Sequence, residues 1–136
     1  MSDPLAPPLA ALAALGPAGV FAALRLRGPV PKVTRNGFPT AWTEHYSEQG
    51  YTLSDPILRW AMLHTGAARW SDLAASDPRG IIAAAARFGL VHGLTCVTGP
   101  MLSRSLVSLA RADRDFTDDE VAAALSLTED LHRLAG

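Results

Sequence analysis

Cysteine is almost missing from this chain, with one residue, Cys96, in 136. A lone thiol cannot close a disulfide within the chain, and no Cys/His set stands at zinc-ligand spacing, so a reducing compartment, the cytoplasm, is the expected setting. Charge is scarce and balanced: 12 Lys and Arg face 13 Asp and Glu, for a net of -1. Direct nucleic-acid binding normally needs a basic stripe to neutralise phosphates, and none is visible, so no nucleic-acid partner is expected. Long hydrophobic runs are absent as well. The Ala- and Leu-rich stretch from Leu5 to Val20 has no leading Lys or Arg and is broken by Pro7, Pro8, Gly16 and Pro17, so it reads neither as a signal peptide nor as a membrane span. Missing too are a phosphate-cradling glycine loop, a G-x-S-x-G nucleophile turn and an H-E-x-x-H pair. His45, His64, His92 and His132 are scattered through different segments, where surface or satisfied core is their ordinary place. No catalytic residue, metal or cofactor is predicted, and the chain is not expected to be an enzyme.

What is present suits one folding unit. Hydrophobic residues make up 49% of the chain and charged ones 18%, a balance that supports one core over residues 1–136. Pro8 to Leu15 reads as a short helix stopped by Gly16-Pro17. Gly19 to Arg27 reads as a strand that ends in the alternation Leu24, Arg25, Leu26, Arg27, and Gly28-Pro29 turns the chain toward a weak second strand, Lys32 to Thr34. Asn36-Gly37 is a turn dipeptide able to close a hairpin or a loop. Thr40 is the expected N-cap of a helix carrying Trp42 and Tyr46 on one face, and Ser54-Asp55-Pro56 opens another. Asp77-Pro78 repeats that device before an alanine-rich helix, Arg79 to Phe88, stopped by Gly89. Leu90 to Val97 and Ser103 to Arg111 are expected to pair antiparallel. Thr117 and Glu120 form a capping box, with Phe116 and Val121 as its staple, for a closing helix to Leu134. Strands in hairpin-like pairs among helices favour an α+β fold, an antiparallel sheet with helices packed on it.

The segment Phe38 to Trp70 holds all three tryptophans and both tyrosines. An indole N–H only donates, a phenol donates and accepts, and an ionised Asp only accepts. Trp42, Tyr46 and Asp55 together therefore match a ligand that has both carbonyls and an amide N–H. Each residue also has a plainer role available: Asp55 as the N-cap before Pro56, Trp42 and Tyr46 as core at helical spacing, Trp60 and Trp70 as filled volume, and Ser108 as a solvent-facing strand residue.

The stretch from Gly37 to Tyr46, GFPTAWTEHY, followed by Gly50-Tyr51 and Ser54-Asp55-Pro56-Ile57, resembles the autoinducer-binding signature of LuxR-type quorum-sensing regulators. The spacings from Trp42 through Tyr46 and Asp55 to Trp70 match that pattern without a gap. Ala85 to Gly99, with Gly89 and Gly93, and Leu106 to Ala110 resemble two later passages of the family. The likeness spans roughly residues 18–134, leaving 1–17 as a variable N-terminal segment of a single autoinducer-binding domain. It implies an α-β-α sandwich with about five antiparallel strands and helices on both faces. It also implies a non-catalytic sensor of an acyl-homoserine lactone. The Trp42 indole would donate to the lactone carbonyl and the Tyr46 hydroxyl to the acyl carbonyl, while Asp55 would accept from the amide. Trp70 would wall the lactone ring, and Ser108 would add a direct or water-mediated bond. Phe38, Tyr51, Ile57, Leu58, Met62, Phe88, Leu94 and Leu106 are the candidates for lining the acyl chain. The passage between Trp70 and Gly93 is several residues shorter than is common in the family. The chain ends where such regulators continue into a helix-turn-helix module, so a domain without DNA-binding half is expected. The partners implied are the lactone and a second copy or a full-length LuxR-type regulator. In the alternative reading, the chain is an interaction module that heterodimerises with such a regulator and inhibits it.

Overall fold

The computed structural model describes residues 2–136. Six helices and five strands follow in the order α1 (Ala6–Leu15), β1 (Gly19–Leu26), β2 (Val33–Asn36), α2 (Thr40–Glu48), α3 (Pro56–Leu63), β3 (Gly66–Arg69), α4 (Trp70–Leu73), α5 (Ile81–Ala86), β4 (His92–Thr98), β5 (Arg104–Arg111) and α6 (Asp118–Leu134). The strands form one antiparallel sheet in the order β2-β1-β5-β4-β3. The two expected hairpins, β1/β2 and β4/β5, are joined along β1 and β5.

The side-chain alternation of a strand sorts residues between two layers. Val20, Ala22 and Leu24 of β1, Leu94 and Cys96 of β4, and Val107 and Leu109 of β5 pack with Leu5 and Leu12 of the α1 region and Ala124 and Leu131 of α6. Complete burial of Leu12, Leu94, Leu109 and Leu131 stabilises the fold by roughly 1.5–3 kcal/mol each before the cost of ordering them. The opposite sheet face carries Ala23 and Phe21 of β1, Val97 of β4, and Leu106 and Ala110 of β5, covered by α2 to α5. Helices thus lie on both faces, and the second layer holds the aromatic segment.

Several local expectations need correction. Leu24 and Leu26 do not share a face. A β-bulge between Ala23 and Leu26, with Arg25 at φ 58°, turns Leu26 over to the α3 side. Thr40 is the first residue of α2 rather than its cap; Pro39 holds that place and makes no side-chain cap bond. Asp77 caps α5 from farther away, accepting from both Ile81 N and Ile82 N across Gly80, so the helix begins at Ile81, later than expected. Asn36-Gly37 closes a loop into α2, with Asn36 Oδ1 accepting from Phe38 N. The β1/β2 hairpin turns at Gly28-Pro29, as expected, with Gly28 at φ 58°. β3 had no signal in the sequence: Gly66-Ala67-Ala68-Arg69 is extended because it pairs with the edge of β4. The capping box of α6 forms as expected, with Thr117 Oγ1 accepting from Glu120 N and Glu120 accepting from Thr117 N.

Candidate functional site

Between the sheet and the layer of α2, α3, α4 and α5 lies a partly open cavity of about 280 Å³. Trp42, Tyr46, Asp55, Trp70 and Ser108 all line it, so residues from three elements and a turn converge on one space. Trp42 and Tyr46 stand one helical turn apart on α2, their rings edge to face with centroids 5.7 Å apart. Gly50, at φ 61°, ends that helix in the left-handed region, and a 3-10 turn, Tyr51–Ser54, carries the chain to Asp55.

Asp55 takes the helix-cap role and also lines the cavity. Its Oδ1 accepts from Ile57 N at 2.8 Å and so caps α3, while its Oδ2 accepts from the Tyr46 hydroxyl at 2.7 Å. The residue is 7% exposed. Burial pushes its carboxyl above the usual range, opposed by the bonds from Tyr46 and the α3 backbone. Burial, then the neighbouring Asp55 charge, raise the Tyr46 phenol in turn, so its hydroxyl stays protonated.

Trp42 is held by a cage of rings: Phe88 at 5.5 Å, Tyr51 at 6.0 Å and His45 at 6.1 Å between centroids. Arg79 stacks over the Tyr51 ring at 5.0 Å and donates to Gln49 O, tying the approach to α5 onto the end of α2. Among the described residues the Trp42 indole N–H meets no protein acceptor, and Trp42 lines the cavity. Trp70 spends its own indole N–H on Thr95 Oγ1 and offers the cavity only an apolar ring.

Of the apolar candidates, Phe38, Ile57, Leu58 and Leu106 line the cavity. Tyr51 and Phe88 do not; they brace Trp42 from behind. Leu94 points to the α1/α6 core, and Met62 is exposed near the end of α3. Trp60 stacks on His64 away from the cavity. Sequence reasoning missed Phe21, Asn36, Thr43, Thr52, Ile81, Ile82 and Ala85 in the wall. The strand period of β1 could have found Phe21. The α5 residues carry no such signal, because which face of a six-residue alanine-rich helix turns inward is decided by packing. No histidine, cysteine or lysine lines the cavity, no group of three or more His, Cys, Asp or Glu is placed to hold a metal among the described residues, and no described helix is long and apolar enough to cross a membrane. The arrangement is equipped to orient a guest: one free donor, a buried carboxylate acceptor with a phenol on it, a hydroxyl on β5 and apolar walls.

Comparison with known proteins agrees with this architecture. A family model described as the autoinducer binding domain matches residues 11–135. Among solved structures, CepR2 of Burkholderia cenocepacia, an N-acylhomoserine lactone dependent LuxR family transcription factor, superposes with a TM-score of 0.73 at 23% identity, covering 96% of this chain and 79% of that one. SdiA in complex with octanoyl-rac-glycerol gives 0.71 at 20% identity, covering 98% and 58%. At these identities the structural likeness is one of fold. A Sinorhizobium fredii protein named as an HTH-type transcriptional regulator, y4qH, is 33% identical over 92 residues, 62% of this chain but 28% of that relative's length.

Proposed function

The chain belongs to the autoinducer-binding domain family, a ligand-binding family of quorum-sensing regulators and not an enzyme family, and on that premise we propose that its cavity takes an N-acyl homoserine lactone. The observation that carries this reading is the convergence of Trp42, Tyr46 and Asp55 on one apolar space, with the Trp42 N–H left free. In the proposed complex the Trp42 indole donates to the lactone carbonyl and Asp55 accepts from the amide N–H. Tyr46 turns its hydroxyl from Asp55 to the acyl carbonyl. The exchange is one for one: Asp55 loses the hydrogen bond it accepts from the phenol and accepts one from the amide N–H, so no buried group is stranded. Trp70 walls the ring, and Ser108 sits beside the acyl carbonyl.

Each neutral hydrogen bond contributes on the order of 1 kcal/mol, and about 1.5–3 where the Asp55 carboxylate accepts. Affinity comes mainly from burying the acyl chain, at about 0.8 kcal/mol per methylene, against Phe21, Phe38, Leu58, Ile81 and Leu106.

A ligand that binds only the folded state raises its stability, by about 2.7 kcal/mol at a hundred times Kd. Melting temperature measured against a series of lactones of increasing acyl length, with octanoyl-rac-glycerol beside them, is expected to rise with concentration for a subset of the lactones. A flat response to all of the lactones would sink the reading. A shift with the glycerol ester alone would replace the amide at Asp55 by a hydroxyl donor.

A further inference from the structure

Three side chains from three elements share two hydrogen bonds behind the cavity wall. Trp70 of α4 donates its indole N–H to Thr95 Oγ1 at 3.0 Å, and Thr95 Oγ1 lies 2.7 Å from Ser108 Oγ. Thr95 on β4 is the register partner of Ser108 on β5. Thr95 is fully buried and does not line the cavity, whereas Trp70 and Ser108 both do.

Counting hydrogens fixes the direction of the chain. Thr95 Oγ1 accepts from Trp70, and among the described residues the one acceptor within its own reach is Ser108 Oγ. If Ser108 donated to Thr95 instead, the Thr95 hydrogen would be left unmet in a sealed interior, which is the costly outcome. Ser108 faces no such constraint, because its other side opens on the cavity. The arrangement that strands nothing runs from Trp70 through Thr95 to Ser108. Ser108 then accepts from Thr95 and turns its own hydrogen toward the guest.

We propose that Thr95 is a positioning residue that pins the Trp70 ring and fixes Ser108 as a hydrogen-bond donor, so that the site selects a guest with a carbonyl beside Ser108. The identity of that carbonyl, the acyl carbonyl, rests on the lactone reading; the relay itself does not. Thr95 touches no guest and acts through its two neighbours.

The test uses the full chain and two probes, N-octanoyl homoserine lactone and its thioamide analogue, whose C=S is a poor acceptor. Wild type and Thr95→Ser, which keeps the hydroxyl, are expected to favour the oxygen probe by about three- to tenfold. Thr95→Val fills the same volume without the hydroxyl and is expected to lower that ratio to the part the Tyr46 hydroxyl supplies, as is Ser108→Ala. Adding Thr95→Val to Ser108→Ala is expected to change the ratio no further. The amide N–H on Asp55 is common to all these proteins and cancels. A Thr95→Val protein that discriminates as wild type does overturns the proposal. A second readout needs no ligand: the Trp70 indole proton resonance, assigned by its loss in Trp70→Phe, moves upfield in Thr95→Val and holds its place in Thr95→Ser. An unmoved resonance overturns the relay. If wild type binds neither probe while the resonance moves as stated, the lactone reading and the carbonyl selection fail together, and the pinning of Trp70 stands.

Discussion

Trp70 rests its indole against the bare Cα of Gly93, where an added Cβ would overlap Cδ2, Cε2 and Cε3 of the ring. Gly93 has no positive φ, so its requirement is for space and not for backbone freedom. Gly93 belongs to β4, two residues before Thr95, on the same sheet face. The missing side chain at one position and the hydroxyl at the other hold the ring by its face and by its N–H.

Gly93→Ala is therefore expected to push Trp70 off its seat and toward the cavity. Overpacking of this kind costs about 1–3 kcal/mol, and filled cavity space lowers ligand affinity as well. Urea unfolding followed by tryptophan fluorescence checks the first effect. An alanine variant as stable as wild type would show that the ring has room to move aside.

Asp55→Asn separates the cap from the recognition role. Asparagine caps helices about as well as aspartate, and its carbonyl oxygen can keep the bond from Ile57 N, so stability of the ligand-free protein is expected to stay within about 1 kcal/mol of wild type. Its amide nitrogen, facing the cavity, would meet the ligand N–H donor to donor. Binding of a lactone is expected to weaken by about ten- to a hundredfold, the worth of a hydrogen bond to a charged acceptor. Equal affinity by titration calorimetry would remove Asp55 from the recognition role.

The sequence was most legible where local chemistry decides structure. The Thr117/Glu120 capping box and the Asp55-Pro56 helix start each depend on residues a few positions apart, and both appear as expected. It was least legible where distant partners decide. β3 exists because β4 offers it an edge, and Gly66-Ala67-Ala68-Arg69 has no β-branched residue to announce it. The bulge at Arg25 is hidden in an alternation that looks regular. There the guanidinium donates twice to His132 O and once to Ser103 Oγ, contacts made across the whole chain that hold the unusual backbone in place. The convergence of Trp42, Tyr46, Asp55, Trp70 and Ser108 was legible through spacing and family likeness. The hydrogen bond between Tyr46 and Asp55 was not, since a helix face and a cap nine residues on meet only when the Gly50 turn folds back.

Cys96 offers a probe of the opposite layer. It is fully buried among the side chains under α1 and α6, and burial pushes its thiol up to about 12, partly offset by Thr128. The thiolate is the reactive form, so the native protein is expected to leave an aromatic disulfide reagent unreacted at mildly alkaline pH and to react at once in denaturant. Rapid labelling of the folded protein would mean that the α6 layer opens readily.

Acid titration brings two opposed contributions into one range. Arg114 holds the Glu120 carboxyl at about 2, and Arg111 holds Asp113 at about 2. Depressed values of this kind add stability above the ordinary carboxylate range, and it is lost as pH falls toward the folded values. Asp55 runs the other way: its folded value is raised above 3.8, so its contribution is present below that point and disappears as pH rises through the folded value. Asp55→Asn removes only this second contribution, and its urea midpoint is expected to fall more steeply than that of wild type between pH ~5 and ~2. Glu120→Gln, which keeps an amide oxygen for Thr117 N, is expected to flatten the fall. Binding exchanges one donor on Asp55 for another: the Tyr46 hydroxyl favours the carboxylate in the free protein and the ligand amide favours it in the complex, so the pH dependence of affinity reads the difference between the two bonds. Lactone affinity that changes with acid pH in wild type and not in Asp55→Asn would place the ligand's donor on Asp55, and the same pH profile in both proteins would remove it from there.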